Sequence, residues 1–351
     1  MKTTFLTLCA FILLFTCFKA NATIWRINNN GFTANFTSLQ SANDDNKVSN
    51  GDTIHLEGSP IVYSSARISK KLIIIGPGYF LIENSNSSYS KLQAQIFGVS
   101  FNTGSDGSQL LGVFVGGTSA GIDIYVTNIV LKRCRIDYSI FLAPERSDIT
   151  IVQNYFYGSS TSSVLTYTSG GFPTNVVFNN NICQKTLILP DGNAYTLAEC
   201  KNNVFDCPAI SGSPSIKMNV GSFENNILKT TNATVNINTL TNNNVAYNIG
   251  TSVNNQFGTA NNNIVVANIA NLFVDPATNS PDGDYQLRPG SAGSNNGSDG
   301  TDRGAFGGLA ITNRYTLSGL PPIPVIYNIT TTGVTTSSSP LSVTITAKTV
   351  Q

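Results

Sequence analysis

Hydrophobic positions take two forms along this chain. Behind Met1-Lys2, Phe5 to Phe18 is an almost unbroken apolar run; later apolar groups are short and bounded by Asn, Gly, Ser or Thr. From the middle of the chain those groups repeat, as VFNNNIC (177–183), CKNNVFD (200–206), FENNILK (223–229), TNNNVAY (241–247) and ANNNIVV (260–266). Each places an Asn two residues ahead of an aliphatic residue: Ile182, Val204, Ile227, Val245 and Ile264, at spacings of 22, 23, 18 and 19. Two earlier copies, ITIVQNYF (149–156) and IVLKRCRI (129–136), end on Phe156 and Ile136. A period near 20 that drifts by a few residues is that of a solenoid whose coils carry loops of unequal length.

Side-chain alternation adds a register. With the Asn as position zero (Asn154, Asn180, Asn202, Asn225, Asn243 and Asn262, and Cys134 in the first copy), the residues two before and two after are mostly apolar. Period-two alternation then turns all three positions inward. An inward Asn repeated at strand spacing, about 4.8 Å, can bond the amide of the next coil and satisfy the backbone of the turn. The pattern therefore predicts an internal amide ladder. Leucine-rich repeats use Asn in this way too, but their LxxLxL frame is missing here, and the composition is too rich in strand and turn formers for a helix in each coil.

This pattern resembles the pectate-lyase-like superfamily, in the style of exported bacterial proteins. The opening agrees: Phe36 to Ala42 reads as a short capping helix, followed by GDTIHL (51–56) and KKLIIIGPG (70–78) as first rungs. At the other end, DYQLRPGSAG (284–293) and GSDGTDRGAFGG (297–308) resemble the superfamily's terminal segment, a last rung followed by a Gly/Asp-rich turn. The resemblance implies an all-β fold, a single-stranded right-handed parallel β-helix (solenoid) with an N-terminal cap over residues 23–312. Residues 313–351 then form a Pro-rich break at Pro321-Pro322-Ile323-Pro324 and a C-terminal β-hairpin, laid against the last coils or serving as a sorting tail. It implies no single activity, because the superfamily includes lyases, hydrolases, isomerases, adhesins and phage tailspikes.

Charge narrows the partners. Lys+Arg is 20 and Asp+Glu is 19, a net charge of +1 in 351 residues, which excludes a globally basic nucleic-acid binder. Solubility comes instead from amides and hydroxyls: 42 Asn, 24 of them between Asn175 and Asn271. The basic start, apolar run and Lys19-Ala20-Asn21-Ala22 read as a signal peptide over residues 1–22, so a secreted or cell-surface location is expected. The run is too short for a membrane span, and Phe15-Thr16 ahead of Cys17 fits a lipoprotein signal poorly. Of the remaining cysteines, Cys134 and Cys200 fall at inward positions. Cys183 and Cys207 lie one coil step and two residues apart, roughly 8 Å, beyond an undistorted bridge. Four free thiols are expected in a monomer.

Candidate chemistry is sparse. The one histidine, His55, sits in a first-rung strand and reads as a surface or cap residue. No zinc spacing is present, since there is no CxxC and a single histidine. The calcium-dependent lyases of the superfamily need clustered carboxylates and a Lys or Arg base, yet between Asn175 and Asn271 only Asp191, Glu199, Asp206 and Glu224 are acidic, and they share no register. Outward residues change from amides to charges and rings once, between Lys132 and Tyr157. That stretch supplies the binding candidates Arg133, Arg135, Asp137, Glu145, Asp148, Gln153 and Tyr155, a set suited to a carboxylated sugar by bidentate Arg contact and ring stacking. Tyr155, Tyr157, Tyr167 and Tyr195 are the expected surface rings. Asp299 and Asp302, in Asp299-Gly300-Thr301-Asp302, resemble an oxygen-rich calcium turn, with a structural turn as the favoured alternative. The expectation is a non-catalytic surface, adhesion or glycan-binding protein with a polysaccharide partner and no cofactor. The alternative is a calcium-dependent lyase acting on an acidic uronate glycan.

Overall fold

The computed structural model describes residues 22–84, 89–117, 120–190, 195–239, 245–253, 256–274, 280–331, 333 and 341–349. Residues 1–21 of the signal-peptide segment and Asn243 lie outside the described residues. Short strands run around three faces, and each pairs in parallel with the strands one coil before and one coil after it. The chain is thus a parallel β-helix followed by an antiparallel hairpin, Pro324–Thr331 with Val343–Thr349.

The faces differ in length. Sheet A starts at Ile24–Ile27 and Thr53–Leu56 and turns Ile54, Ile74, Leu110, Leu131, Ile151, Phe178, Cys200 and Phe223 inward in register. Sheet B runs from Gln95–Ile96 to Ile264–Val266 and turns in Ile96, Val115, Ile136, Phe156, Cys183, Phe205 and Leu228. Sheet C has five strands: Ala66–Ile68, Val99–Phe101, Ile122–Ile124, Ile140–Leu142 and Leu165–Tyr167. Strands of two or three residues cannot stand alone; neighbouring coils supply their backbone partners and a continuous core. Phe156 stacks on Phe178 at 5.5 Å and Phe205 on Phe223 at 6.3 Å along that core.

An amide ladder runs through the turn from sheet A to sheet B, and it sits one residue beyond most of the expected positions. Asn154 Oδ1 accepts from the Cys134 amide, and the chain continues through Asn181, Asn203, Asn226, Asn248 and Asn263, each Oδ1 accepting from the preceding rung at 2.8–2.9 Å. Each Nδ2 donates back to a carbonyl near the end of the preceding sheet A strand, as Asn203 does to Phe178 O at 2.9 Å. Asn154 is a rung, as expected. Asn180, Asn202, Asn225 and Asn262 are not: they hold the left-handed residue just before the rung, with Arg133, Gln153 and Tyr247, at φ between 53° and 60°. Asn tolerates that conformation better than most residues. A turn that needs one Asn for its backbone and a second for the ladder is why the sequence doubles it. The shift also turns Ile182, Val204 and Ile227 outward, with Cys183, Phe205 and Leu228 taking the inward places.

Ile182, Val204 and Ile227 are nevertheless fully buried, because the chain covers them. The last strand of the helix is Ile264–Val266; the stretch expected to form a final rung instead folds back along the outside of sheet B as a strap. Outward Tyr155, Ile182, Val204, Ile227 and Ile249 pack beneath its Phe273, Tyr285, Ala305 and Tyr315 in a second hydrophobic cluster. The left-handed residues hold its main chain. Asn225 bonds Ser298, Asn180 Nδ2 donates to Ala305 O and Gly307 O, Gln153 Nε2 to Thr312 O and Arg314 O, and Arg133 Nη1 to Leu320 O. The strap therefore travels from the last coils back toward the first. Gly304, at φ +80°, lies so close that a Cβ there would meet Ile227 Cδ1 at 2.9 Å and Val204 Cγ2 at 3.0 Å.

The amino-terminal end is capped by helix α1, Leu39–Asp44, with Ser38 as its N-cap, a slightly later span than the expected Phe36 to Ala42. Its Gln40 and Asn43 side chains accept from the Arg67 and Ser69 amides at 2.7 and 2.9 Å, on the free edge of the first sheet C strand. The edge is thereby closed to further strands. The terminal hairpin is exposed along all of Val343–Thr349, and it meets the body near the first coils, where Tyr89 N donates to Ile326 O, rather than at the last coils. Cys134, Cys183, Cys200 and Cys207 are buried free thiols, as expected, and burial raises all four, Cys134 and Cys207 to about 12.

Candidate functional site

The expected patch between Lys132 and Tyr157 is mostly interior. Arg133 and Gln153 are buried under the strap, bonded to each other at 2.8 Å, and Tyr155 is covered with them. These three are corrected from surface candidates to strap anchors. Lys132 points outward, and its Nζ donates to Thr312 O. Arg135 grips Asp137 through two bonds of 2.8 and 2.9 Å and stacks on Phe114 and Tyr157 at 4.2 and 4.1 Å. Burial pushes the Asp137 carboxyl up, against the pull of Arg135 and Lys185. Glu145 and Asp148 are exposed at the turn from sheet C to sheet A, both with positive φ, and do not join Arg135 on sheet B. Asp148 bonds Ser147 and Asn175, each at 2.6 Å. Of the expected rings, Tyr157 is exposed, while Tyr167 and Tyr195 pack together with centroids 5.0 Å apart at the end of sheet C.

Sheet C carries an open groove. Its outward row, in register across five coils, is Arg67, Ser100, Asp123, Phe141 and Thr166. Alternation sets this row: each member is flanked by two inward apolar residues, such as Ile122 and Ile124 around Asp123. The row floors a groove of about 830 Å³, whose lining also includes Gln40, Asn102, Tyr125 and Tyr138. Tyr125 is 41% exposed with its ring 5.5 Å from that of Phe141, and Tyr138 is 44% exposed at the corner leading round to Asp137. Asn102 Nδ2 bonds Ser100 Oγ at 3.0 Å, fixing one amide in the groove.

Arg67 and Asp123 are the only charged residues of the lining. Neither side chain has an ion-pair or hydrogen-bond partner among the described residues, and burial raises the Asp123 carboxyl above its ordinary value. An unpaired cation, an unpaired acid and two exposed rings in a shallow trough can bond and stack against a polyhydroxylated chain. The lining offers one carboxylate, whereas glycosidic hydrolysis ordinarily uses two. Among the described residues no three His, Cys, Asp or Glu side chains come together as metal ligands. Asp299 and Asp302 bond inside their own turns, to Thr301 and to the Asn295 amide.

The sequence reading missed this row because sheet C carries no Asn mark. Its signal was weaker: the triplets ARI, VSF, IDI, IFL and LTY, each a polar or aromatic residue between two apolar ones or before a ring. No protein-family model, curated protein or solved structure matches the chain.

Proposed function

We propose that this is an exported, non-catalytic glycan-binding protein whose ligand lies along the sheet C groove, across the coils. The observation that carries the reading is the pair of exposed rings, Tyr125 and Tyr138, beside an outward row whose charged members have no partner among the described residues. Rings of this kind stack on sugar faces, and unpaired polar groups supply the directional bonds that fix orientation. The export element rests on the amino-terminal apolar run and its A-x-A end. The superfamily resemblance supports the same reading, since its members include adhesins.

Titration calorimetry with a panel of oligosaccharides tests it. Tyr125→Ala and Tyr138→Ala are expected each to weaken binding about tenfold while leaving the melting temperature unchanged, as removal of an exposed stacking ring should. Binding that survives both substitutions places the ligand elsewhere, and a panel with no binder refutes the reading.

A further inference from the structure

The terminal hairpin carries an unprotected edge. Among the described residues its strands, Pro324–Thr331 and Val343–Thr349, pair only with each other, and the second is exposed at every position. The first is tied to the body where Tyr89 N donates to Ile326 O. The antiparallel register puts Ile326, Ile329, Val343, Ile345 and Ala347 on one face, and Val325, Thr330, Thr344, Thr346 and Lys348 on the other. Edge strands are ordinarily blunted by a charge, a proline or a bulge. Here Pro324 and the bulge between Ile326 and Asn328 both belong to the first strand. The hairpin's one charged residue, Lys348, is folded back over the Tyr327 ring of that strand at 4.1 Å. The outer edge of Val343–Thr349 is left with none of the three devices. A two-stranded ribbon is marginal in water and is stabilised by further strands.

We propose that this edge pairs with the same edge of a second copy of the chain, antiparallel about a two-fold axis at Thr346, giving a four-stranded sheet and a dimer in place of the expected monomer. The strand is self-complementary about that point. All of residues 343–349 are used, about 23 Å of strand at 3.3 Å per residue. Pairing centred on a residue keeps like faces together, so Ile345 meets Ala347 of the second copy, Val343 meets Thr349, and the apolar face runs on across the axis. Thr344 meets Lys348 on the other face. The two Lys348 positions then lie about 13 Å apart along the strands, beyond the screening length at physiological salt. Such a contact closes on itself, so it ends at two copies rather than growing into a fibre. It does not depend on the sheet C groove.

Sedimentation of the purified protein over a range of concentrations is the test, and the mass is expected to rise from monomer to dimer. Thr344→Lys sets two like-charge pairs across the axis and should weaken the dimer about tenfold; Thr344→Glu sets two opposite-charge pairs and should tighten it by about as much. Within its own hairpin Thr344 faces only Thr330, and opposite shifts from one position cannot come from unfolding. Thr346→Cys should join two copies by a disulfide under mild oxidation, since residues directly opposite in an antiparallel pair lie within bridging distance. Val343→Cys, about 20 Å from its counterpart along the strands, should not. The native thiols are buried and do not compete. A monomer at every concentration overturns the proposal. So does a dimer that ignores both Thr344 substitutions, or one that cross-links through Val343→Cys and not through Thr346→Cys.

Discussion

Sheets B and C present outward rows built by the same geometry, and the two rows have opposite fates. On sheet B the row through Tyr155, Ile182, Val204, Ile227 and Ile249 is apolar, and the returning strap buries it. On sheet C the row through Arg67, Ser100, Asp123, Phe141 and Thr166 is polar and aromatic, and it floors an open groove. A solenoid coil has an inside fixed by alternation, but its outside is free to vary from coil to coil. Composition of the outward row then decides whether a face recruits a covering element or stays available to a ligand. Where an outward row stays aliphatic for several coils, the covering element is to be sought in the chain itself.

The sharpest way to break this comparison is to remove matched side chains from the two faces. Ile227→Ala should destabilise by about 2–4 kcal/mol, through lost transfer energy and a cavity between sheet and strap. Tyr125→Ala on the open face should change stability by less than about 1 kcal/mol, as exposed positions do. Chemical denaturation of both variants gives the contrast directly. Equal losses would mean that the strap is not packed on sheet B in solution.

A finer contrast lies inside single turns, between neighbouring amides. Asn203 links three coils: its Oδ1 accepts from Asn181 N, and its Nδ2 donates to Phe178 O and Asn226 Oδ1. Asn203→Leu leaves those buried groups unpaired and should cost about 1–3 kcal/mol. Asn202, the left-handed residue beside it, has a buried Oδ1 with no partner among the described residues, and glycine accepts its φ of 53° freely. Asn202→Gly should therefore shift stability by less than about 1 kcal/mol. Reversed effects in thermal melts would restore the register read from the repeats.

That register shows how far the sequence carried. The Asn spacing was enough for a solenoid and for the existence of a ladder; the parallel β-helix was an expectation carried by the resemblance. The spacing misplaced the rung by one residue at Asn180, Asn202, Asn225 and Asn262, and by five where Asn248 is the rung rather than Asn243, because two apolar rows flank the turn: inward Cys183, Phe205 and Leu228, and strap-covered Ile182, Val204 and Ile227. With both sides of a strand buried, period-two alternation no longer distinguishes them. The same effect hid the site. Arg133, Gln153 and Tyr155 stood out as an outward change of chemistry, and outward they are, but the strap that buries them begins more than a hundred residues later and has no strand pattern of its own. Arg67, Asp123 and Tyr125 went unnoticed because their coils lack the Asn mark and no local pattern tied one triplet to the next.

The smallest expected effect concerns what the strap tolerates under its cover. Asp282 is fully buried in it and accepts from the Ser318 amide, Ser280 Oγ and the Tyr315 hydroxyl; Tyr315 in turn shares a 2.5 Å bond with Tyr79 of the helix. No cation pairs with Asp282 among the described residues, and burial outweighs these bonds, so its carboxyl is raised above the ordinary value. A raised carboxyl means that the folded strap holds the proton more tightly than the unfolded chain. Its stabilising share is complete below the unfolded value, about 3.9, and is lost as pH rises through the folded value. Asp282→Asn carries no titrating proton, so the difference in melting temperature between wild type and variant should drift in the variant's favour as pH rises from 3 toward 7. A difference that is flat with pH, or that moves toward the wild type, would mean that the carboxylate is stabilised in place and that the strap is held by charge rather than by burial.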